Sequence, residues 1–410
     1  CGANAPTALI KMTSPSITTS SDAVVAPDVA PGDFVQVDAS DSVDADAQAP
    51  CSLTDPLTYT WAFDLLPPGS SAALNGAVTN PSFQTDAAGA FRVLLTVTDS
   101  TGRSDTATLT VTAQPCTNLN IPGGFTCATV KSGNAQGLST PRGVTVDSSS
   151  NVYVVNNGSD EVVRITTSGS LTTFASPAAF SGGPTLEDIV FDSATDLFFV
   201  TDSGNSEIVS LSSTATPAVF ATAANTPEGI ATFTTCAGQN RLLVAAQGED
   251  LIRMFNPATA PTAPSLMSDL MQTSGGTDLA ISPRGVAGRC ETGTNRIFAT
   301  KTGGTDSLVR DTANIGGTFN AAVTQSSSGL INNPRDVVLT PCPTPKLVVA
   351  GRGTGDVALV DNCGGGCTTT SIVTGLSQPW GLWFESATSL LVTDEATDTL
   401  YRIAGPFCSL

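Results

Sequence analysis

The sequence predicts an all-β chain, an N-terminal β-sandwich followed by a C-terminal six-bladed β-propeller. Three observations carry this. Residues 1–115 contain short alternating strands, with Phe91, Val93, Leu95 and Val97 in one and Ala107, Leu109 and Val111 in the next. The stretch DSTG at 99–102 supplies the turn between them. From Pro141 onward the chain repeats itself at a period of roughly 41 to 56 residues, the length of one four-stranded propeller blade.

Composition sets the outer bounds. The chain has 410 residues, 40% hydrophobic and only 13% charged, so it can bury a large core and solvates its surface with Ser, Thr, Asn and Asp. Its net charge is −19, which opposes nucleic-acid phosphates and argues against that class of partner. It has no histidine, which excludes triads of the Ser-His-Asp or Cys-His type and removes the commonest metal ligand. Ten cysteines, an even number without zinc-site spacing, read as the disulfide framework of an exported protein. No apolar run is long enough for a membrane-spanning helix.

The first domain holds "VDASDSVDADA", the strand "LTYTWAF" and "GAFRVLLTVTD…SDTATLTV". These stretches resemble the PKD family of immunoglobulin-like domains. The resemblance implies an immunoglobulin-like sandwich over 1–115, with Trp61 as the core tryptophan of its third strand and a role as spacer or adhesion module. Asp41, Asp44 and Asp46 cluster in one loop, and hard carboxylate oxygens so spaced are a candidate Ca²⁺ site. The alternative is a solvated acidic loop, because the ligand order of an EF-hand is absent.

Residues 116–123 are a linker, and 124–410 form the propeller. The inner strands begin "PRGVTVD" (141), "LEDIVFD" (186), "PEGIATF" (227), "PRGVAGR" (283), "PRDVVLT" (334) and "PWGLWFE" (379). Each is followed by a second apolar strand such as "NVYVVNN" and a third such as "DEVVRI". The P-x-G, V-Y-V-x-N and V-x-R-I marks resemble the NHL family of propellers, a resemblance that implies a fold and not a function. The last repeat stops after its third strand, at "LYRIAG", and the strand at 124–133 has no partner, so it is expected to complete the sixth blade.

That closure would set Cys127 near Cys408. Cys236, Cys290 and Cys342 fall between first and second strands of consecutive blades, so Cys236–Cys290 is a candidate staple. Cys363 and Cys367 are candidates for closing a hairpin, or one of them for taking Cys342. Cys1 has two candidate fates: lipid attachment, as in a bacterial surface lipoprotein cut by signal processing, or a disulfide to Cys51.

Propeller sites lie over the central channel where the inner strands begin. The P-x-G positions place Arg142, Glu187, Glu228, Arg284, Arg335 and Trp380 there, with Asn156, Asp202, Gln247, Lys301, Arg352 and Asp394 after the second strands. These form a mixed-charge candidate ligand-binding mouth, and the alternative is that Arg and Glu pair and merely fill it. Six-bladed lactonases, which are similar in outline, hold a divalent metal with carboxylates and Asn. Glu187, Asp202 and Asn156 are the candidates for such a set, and the arginines of the ring oppose it. A peptide-amidating lyase of related outline relies on histidines that this chain lacks.

The expectation is therefore an exported surface or extracellular protein without a catalytic centre. Its propeller binds another protein and its sandwich acts as spacer. No cofactor is expected except calcium, and the only membrane contact is through Cys1. The rivals are a metal-dependent lactonase or esterase and a self-assembling structural subunit of a surface filament.

Overall fold

In the computed structural model, the described residues are 4–409 except 15–19, 27–28, 30–32, 53, 69, 77–78, 88, 114–115, 117–118, 134–136, 168, 223–224, 260–267, 271–281, 303–306, 312–322, 326–330 and 362–367. Cys1, Cys363 and Cys367 lie outside them. The chain divides into two compact units, Cys1–Thr117 with Ala128–Val130, and Asn118–Cys127 with Lys131–Leu410. Among the described residues no helix is long and apolar enough to cross a membrane.

Among the described residues the first unit has eight strands: β1 (Lys11–Ser14), β2 (Ala23–Val25), β3 (Phe34–Asp38), β4 (Thr58–Leu65), β5 (Asn75–Gly76), β6 (Pro81–Gln84), β7 (Gly89–Thr98) and β8 (Ser104–Ala113). They make two sheets, ordered β1-β3-β6-β5 and β2-β8-β7-β4. The pairing is antiparallel except between β2 and β8. Strict alternation along β7 and β8 sends Phe91, Val93, Leu95, Val97, Leu109 and Val111 inward, into one core with Met12, Val35, Val37 and Phe83 of the other sheet and with Ile10, which precedes β1. Phe63 stands edge-on to Phe83, ring centroids 5.0 Å apart. Trp61 departs from the sequence expectation: it packs half-buried at the margin of this core, whose centre is taken by Phe83 and Phe91.

β9 (Thr126–Ser132) precedes six repeats that lie in the second unit. The first sheet is β10 (Pro141–Val146), β11 (Val152–Asn156), β12 (Glu161–Ile165) and β13 (Leu171–Ala175). The second is β14 (Leu186–Asp192), β15 (Leu197–Asp202), β16 (Glu207–Leu211) and β17 (Pro217–Ala221). The third is β18 (Pro227–Thr234), β19 (Asn240–Ala246), β20 (Leu251–Phe255) and β21 (Ser268–Leu270). The fourth is β22 (Pro283–Glu291), β23 (Thr294–Lys301), β24 (Ser307–Asp311) and β25 (Val323–Gln325). The fifth is β26 (Pro334–Leu339), β27 (Leu347–Gly351), β28 (Asp356–Asp361) and β29 (Thr368–Val373). The sixth is β30 (Pro379–Ser386), β31 (Ser389–Asp394) and β32 (Thr399–Ala404), with β9 as its fourth strand. Ser132 and Thr399 share a hydroxyl–hydroxyl bond of 3.0 Å across that last pairing.

Each inner strand touches the next, and β10 touches β30, so the six sheets close a ring, the β-propeller arrangement. The second strands are buried on both faces, which explains runs such as VYVVN and LLVAA. Adjoining sheets, the second with the third, the fourth with the fifth and the sixth with the first, are laced together by buried threonines. Thr201, Thr300 and Thr393 donate their hydroxyls to the carbonyls of Glu228, Arg335 and Arg142 on the adjoining inner strand.

Cys236 and Cys290 are joined, with Cα atoms 4.9 Å apart, and tie the third sheet to the fourth. The pairing of Cys127 with Cys408 is not formed. Cys408 is joined to Cys342, Cα atoms 5.5 Å apart, which also removes Cys342 as a partner for Cys363 or Cys367. The chain turns back after β32 because Phe407 is buried between Phe125 and Phe384, at centroid distances of 5.1 and 5.0 Å. This carries Cys408 to the turn after β26. Cys51, Cys116 and Cys127 are each disulfide-bonded as well, so Cys51 is not a free thiol.

Candidate functional site

The mouth of the propeller is built by a backbone device repeated in every sheet. Each inner strand pairs its first residue with the last residue of the second strand, as in Pro141 with Asn156, and then shifts register before pairing resumes three residues on. The two residues inside that bulge are the x and G of P-x-G. A bulge re-aims side chains, and here it turns the x residue toward the neighbouring sheet. Four of the six G positions are glycine because the strands nearly touch there. A Cβ on Gly229 would stand 2.4 Å from the carbonyl oxygen of Arg284, and one on Gly381 would stand 2.3 Å from that of Arg142.

The six x residues come together as an ion-pair and stacking network. Arg142 pairs with Glu187 of the second sheet, and with Glu395 of the sixth at 2.9 Å. Arg284 pairs with Glu228 and also donates to the Thr302 hydroxyl at 3.3 Å. Arg352 binds Glu395 at 3.0 Å and Gln378. Trp380 is the centre of the group. The guanidinium carbons of Arg142 and Arg335 lie 4.1 and 4.2 Å from its ring centroid, and that of Arg352 lies 5.6 Å away. Arg335 differs from the other three arginines, because its Nε and Nη1 are buried without a hydrogen-bond partner.

Burial sets the electrostatics. Burial, then the nearby charge of Glu187, pushes Glu228 up to about 7 despite Arg284. Glu187 is raised by burial, which outweighs Arg142 and the 2.9 Å bond from the Ser203 hydroxyl. On the partner side the balance reverses. Burial works against the charge of Arg142, and its two glutamates overcome it and raise its pKa. Burial, then the Arg284 charge, lowers Arg335 to about 10.

The residues after the second strands divide. Asn156 and Asp202 are fully buried away from the mouth. Asn156 accepts the N–H of Ser139 at 3.2 Å, and Asp202 that of Thr185 at 2.9 Å. Asp394 likewise accepts the N–H groups of Ser377 and Gln378 at 2.8 and 2.9 Å. These three hold the loops that enter their own sheets. A metal set of Glu187, Asp202 and Asn156 is therefore not assembled. Lys301 occupies the equivalent strand-end position in the fourth sheet, paired with Pro283.

Gln247 and Arg352 are not equivalents of these residues. Pairing with Pro227 and Pro334 falls on Ala246 and Gly351, one residue earlier. A one-residue step along a strand changes face, which is why Arg352 reaches the mouth and Asp394 does not. The position that does reach it is one beyond the strand end. It holds Asn157, Ser203, Gln247, Thr302, Arg352 and Glu395 in the six sheets, and of these Ser203, Thr302, Arg352 and Glu395 bond the x residues or one another. The signal for Ser203, Thr302 and Glu395 is the same repeat read one residue later.

Below the mouth stand the two G positions that are not glycine. Asp188 accepts the N–H of Ile189 at 2.8 Å and, across the sheet boundary, that of Ile230 at 2.9 Å. Asp336 does the same with Val337 and Leu382, at 2.7 and 2.8 Å. Both are surrounded by protein yet face channel space. Burial raises Asp336 to about 6, and burial with the charge of Asp336 raises Asp188 well above its ordinary value. Beyond them the channel widens to a cavity of about 290 Å³ lined mainly by apolar side chains, among them Val190, Leu339, Trp383 and Phe384.

In the sandwich the loop aspartates separate. Asp41 pairs with Lys11 at 2.8 Å, and Asp46 accepts the backbone and side-chain N–H groups of Asn4 at 3.0 and 2.7 Å. The expected set of Asp41, Asp44 and Asp46 does not form. Asp44 instead gathers with Asp55 and Asp99.

No family model matches the chain, and no curated protein matches it in sequence. Solved structures do. A gluconolactonase from Xanthomonas campestris superposes with a TM-score of 0.53 at 12% identity, covering 71% of this chain and 96% of that one. An auxiliary nutrient binding protein from Bacteroides thetaiotaomicron gives 0.49 at 11% identity, covering 93% and 97%. At 12% identity the likeness to the gluconolactonase carries the fold alone, and the fold is a β-propeller.

Proposed function

We propose that the chain is an exported, non-catalytic binding protein. It consists of an immunoglobulin-like sandwich of PKD type as spacer and a six-bladed propeller of NHL type that binds another protein. The observation that supports this most is the state of the mouth. Its three glutamates, Glu187, Glu228 and Glu395, are each paired with arginine, an arrangement that favours a structural network over a metal site. Arg335 keeps two unpartnered N–H donors beside Trp380. An acidic side chain or a C-terminal carboxylate of a partner protein matches such a buried guanidinium. The disulfides support an oxidising compartment.

The test is capture from the native source with the full chain and with Arg335→Ala, alongside a panel of lactones and esters. A protein retained by the parent and lost by the variant, with no turnover by either, is the expected result. Hydrolysis of any panel member that Glu228→Gln abolishes would overturn the reading, as would identical capture by both chains.

A further inference from the structure

We propose that Asp44, Asp55 and Asp99 form a calcium site in the sandwich unit. Each offers one carboxylate oxygen, and the three oxygens lie within 4.8 Å of one another. They come from separate places in the chain: Asp44 and Asp55 from the segment between β3 and β4, Asp99 from the β7–β8 turn.

The closeness of three acids would mean little without the state of their oxygens. Asp44 is 3% exposed and Asp99 5%. Asp44 uses Oδ1 to accept the N–H of Asp46 at 2.7 Å. Asp99 uses Oδ1 to accept the N–H groups of Thr101 and Arg103 and the Thr101 hydroxyl, each at 2.8 Å. In both residues the second oxygen, Oδ2, is shut off from solvent without a hydrogen-bond partner. Buried carboxylate oxygens are ordinarily paired or bound to metal. Asp55 is half-buried, accepts the N–H of Ser100 at 2.8 Å, and gives the site its way in.

The nearest cation does not replace a metal. Arg103 Nη1 makes long ion pairs with Asp99 Oδ2 at 3.9 Å and Asp46 Oδ2 at 4.0 Å, and donates to the carbonyl of Asn4 at 3.1 Å. It therefore neutralises part of the acid charge from the rim and leaves the Asp44 and Asp99 Oδ2 atoms without a hydrogen bond. The donors are all hard oxygens, with neither sulfur nor imidazole, which selects Ca²⁺ or Mg²⁺ over transition metals. Three carboxylates supplied by loops suit the larger, adaptable calcium shell better than the strict octahedron of magnesium. A bound ion would tie the β3–β4 segment to the β7–β8 turn.

The proposal is tested with CaCl₂ on the full chain after EDTA treatment, by titration calorimetry and by hydrogen exchange. One Ca²⁺ per chain is expected, with exchange slowed in peptides covering 44–55 and 99–103. Affinity should fall at least about tenfold in Asp55→Asn, the mildest change to the fold, and in Asp44→Asn, which keeps an acceptor for the Asp46 N–H. No heat and no protection at about millimolar Ca²⁺ would overturn the site, as would unchanged affinity in both variants. Equal affinity for Mg²⁺ would overturn the choice of calcium.

Discussion

Arg335 and Trp380 show what single residues cost and supply. Arg335 is a cation held inside the propeller mouth with two orphaned donors, and each such donor costs roughly 1–3 kcal/mol. Arg335→Met should therefore raise the unfolding free energy by roughly 1–3 kcal/mol in urea titration, because a flexible apolar chain still covers the indole. If the mouth binds an acidic partner group, the same variant should lose the partner, the usual trade of stability for function. A destabilised Arg335→Met would mean that the guanidinium is satisfied in solution. Trp380→Ala works in the opposite direction. It empties the space on which Arg142 and Arg335 stack and should cost about 3–5 kcal/mol.

At the scale of the element, the repeated bulge is the feature that makes a site from a strand. It presents the x side chains at the mouth, and it brings inner strands so close that the next position must be Gly or an Asp that bonds the neighbour. Gly229→Ala forces a Cβ to within 2.4 Å of the Arg284 carbonyl oxygen. A loss of about 3 kcal/mol or more is expected by calorimetry, from overpacking against backbone. Gly182→Ala, where a Cβ meets nothing within 4 Å, is the control and should change stability by less than about 0.5 kcal/mol. This element was only half legible. The six P-x-G entries were visible as a repeat, and so were Arg142, Glu187, Glu228, Arg284, Arg335 and Trp380. Glu395 was not, because the repeat marks the strand end, Asp394, whereas the side chain that reaches the mouth belongs to the next residue.

For the whole molecule, the relevant terms are cross-links and pH. The Cys236–Cys290 bridge spans a sequence separation of 54, and replacing both cysteines by serine should cost about 2–4 kcal/mol, read from urea midpoints. Glu228 and Asp336 are raised to about 7 and about 6 in the folded protein. The unfolded chain releases both protons near pH 4. Between these limits the folded state holds more protons, so stability falls as pH rises from about 4 to about 7. The unfolding midpoint should be higher at about pH 5 than at about pH 8, and Asp336→Asn should flatten the difference. A wild-type midpoint that rises over this range would contradict the burial of these two acids.

The sequence by itself determined what is periodic and local: alternating strands, six repeats, turn residues, the residue types at the mouth and the unpartnered strand at 124–133. Chain geometry imposes periods of two along a strand and of a blade along the chain, so these patterns survive without knowledge of neighbours. Only tertiary structure decided which distant groups meet. Cys408 went to Cys342 because Phe407 folds back into an aromatic pocket. Asp44 met Asp55 and Asp99 because a long loop closes over a hairpin turn. Asp188 and Asp336 became channel carboxylates because two strands lack the glycine that the other four require. In each case the deciding contact lies between residues far apart in the chain, and packing, not spacing, brings them together.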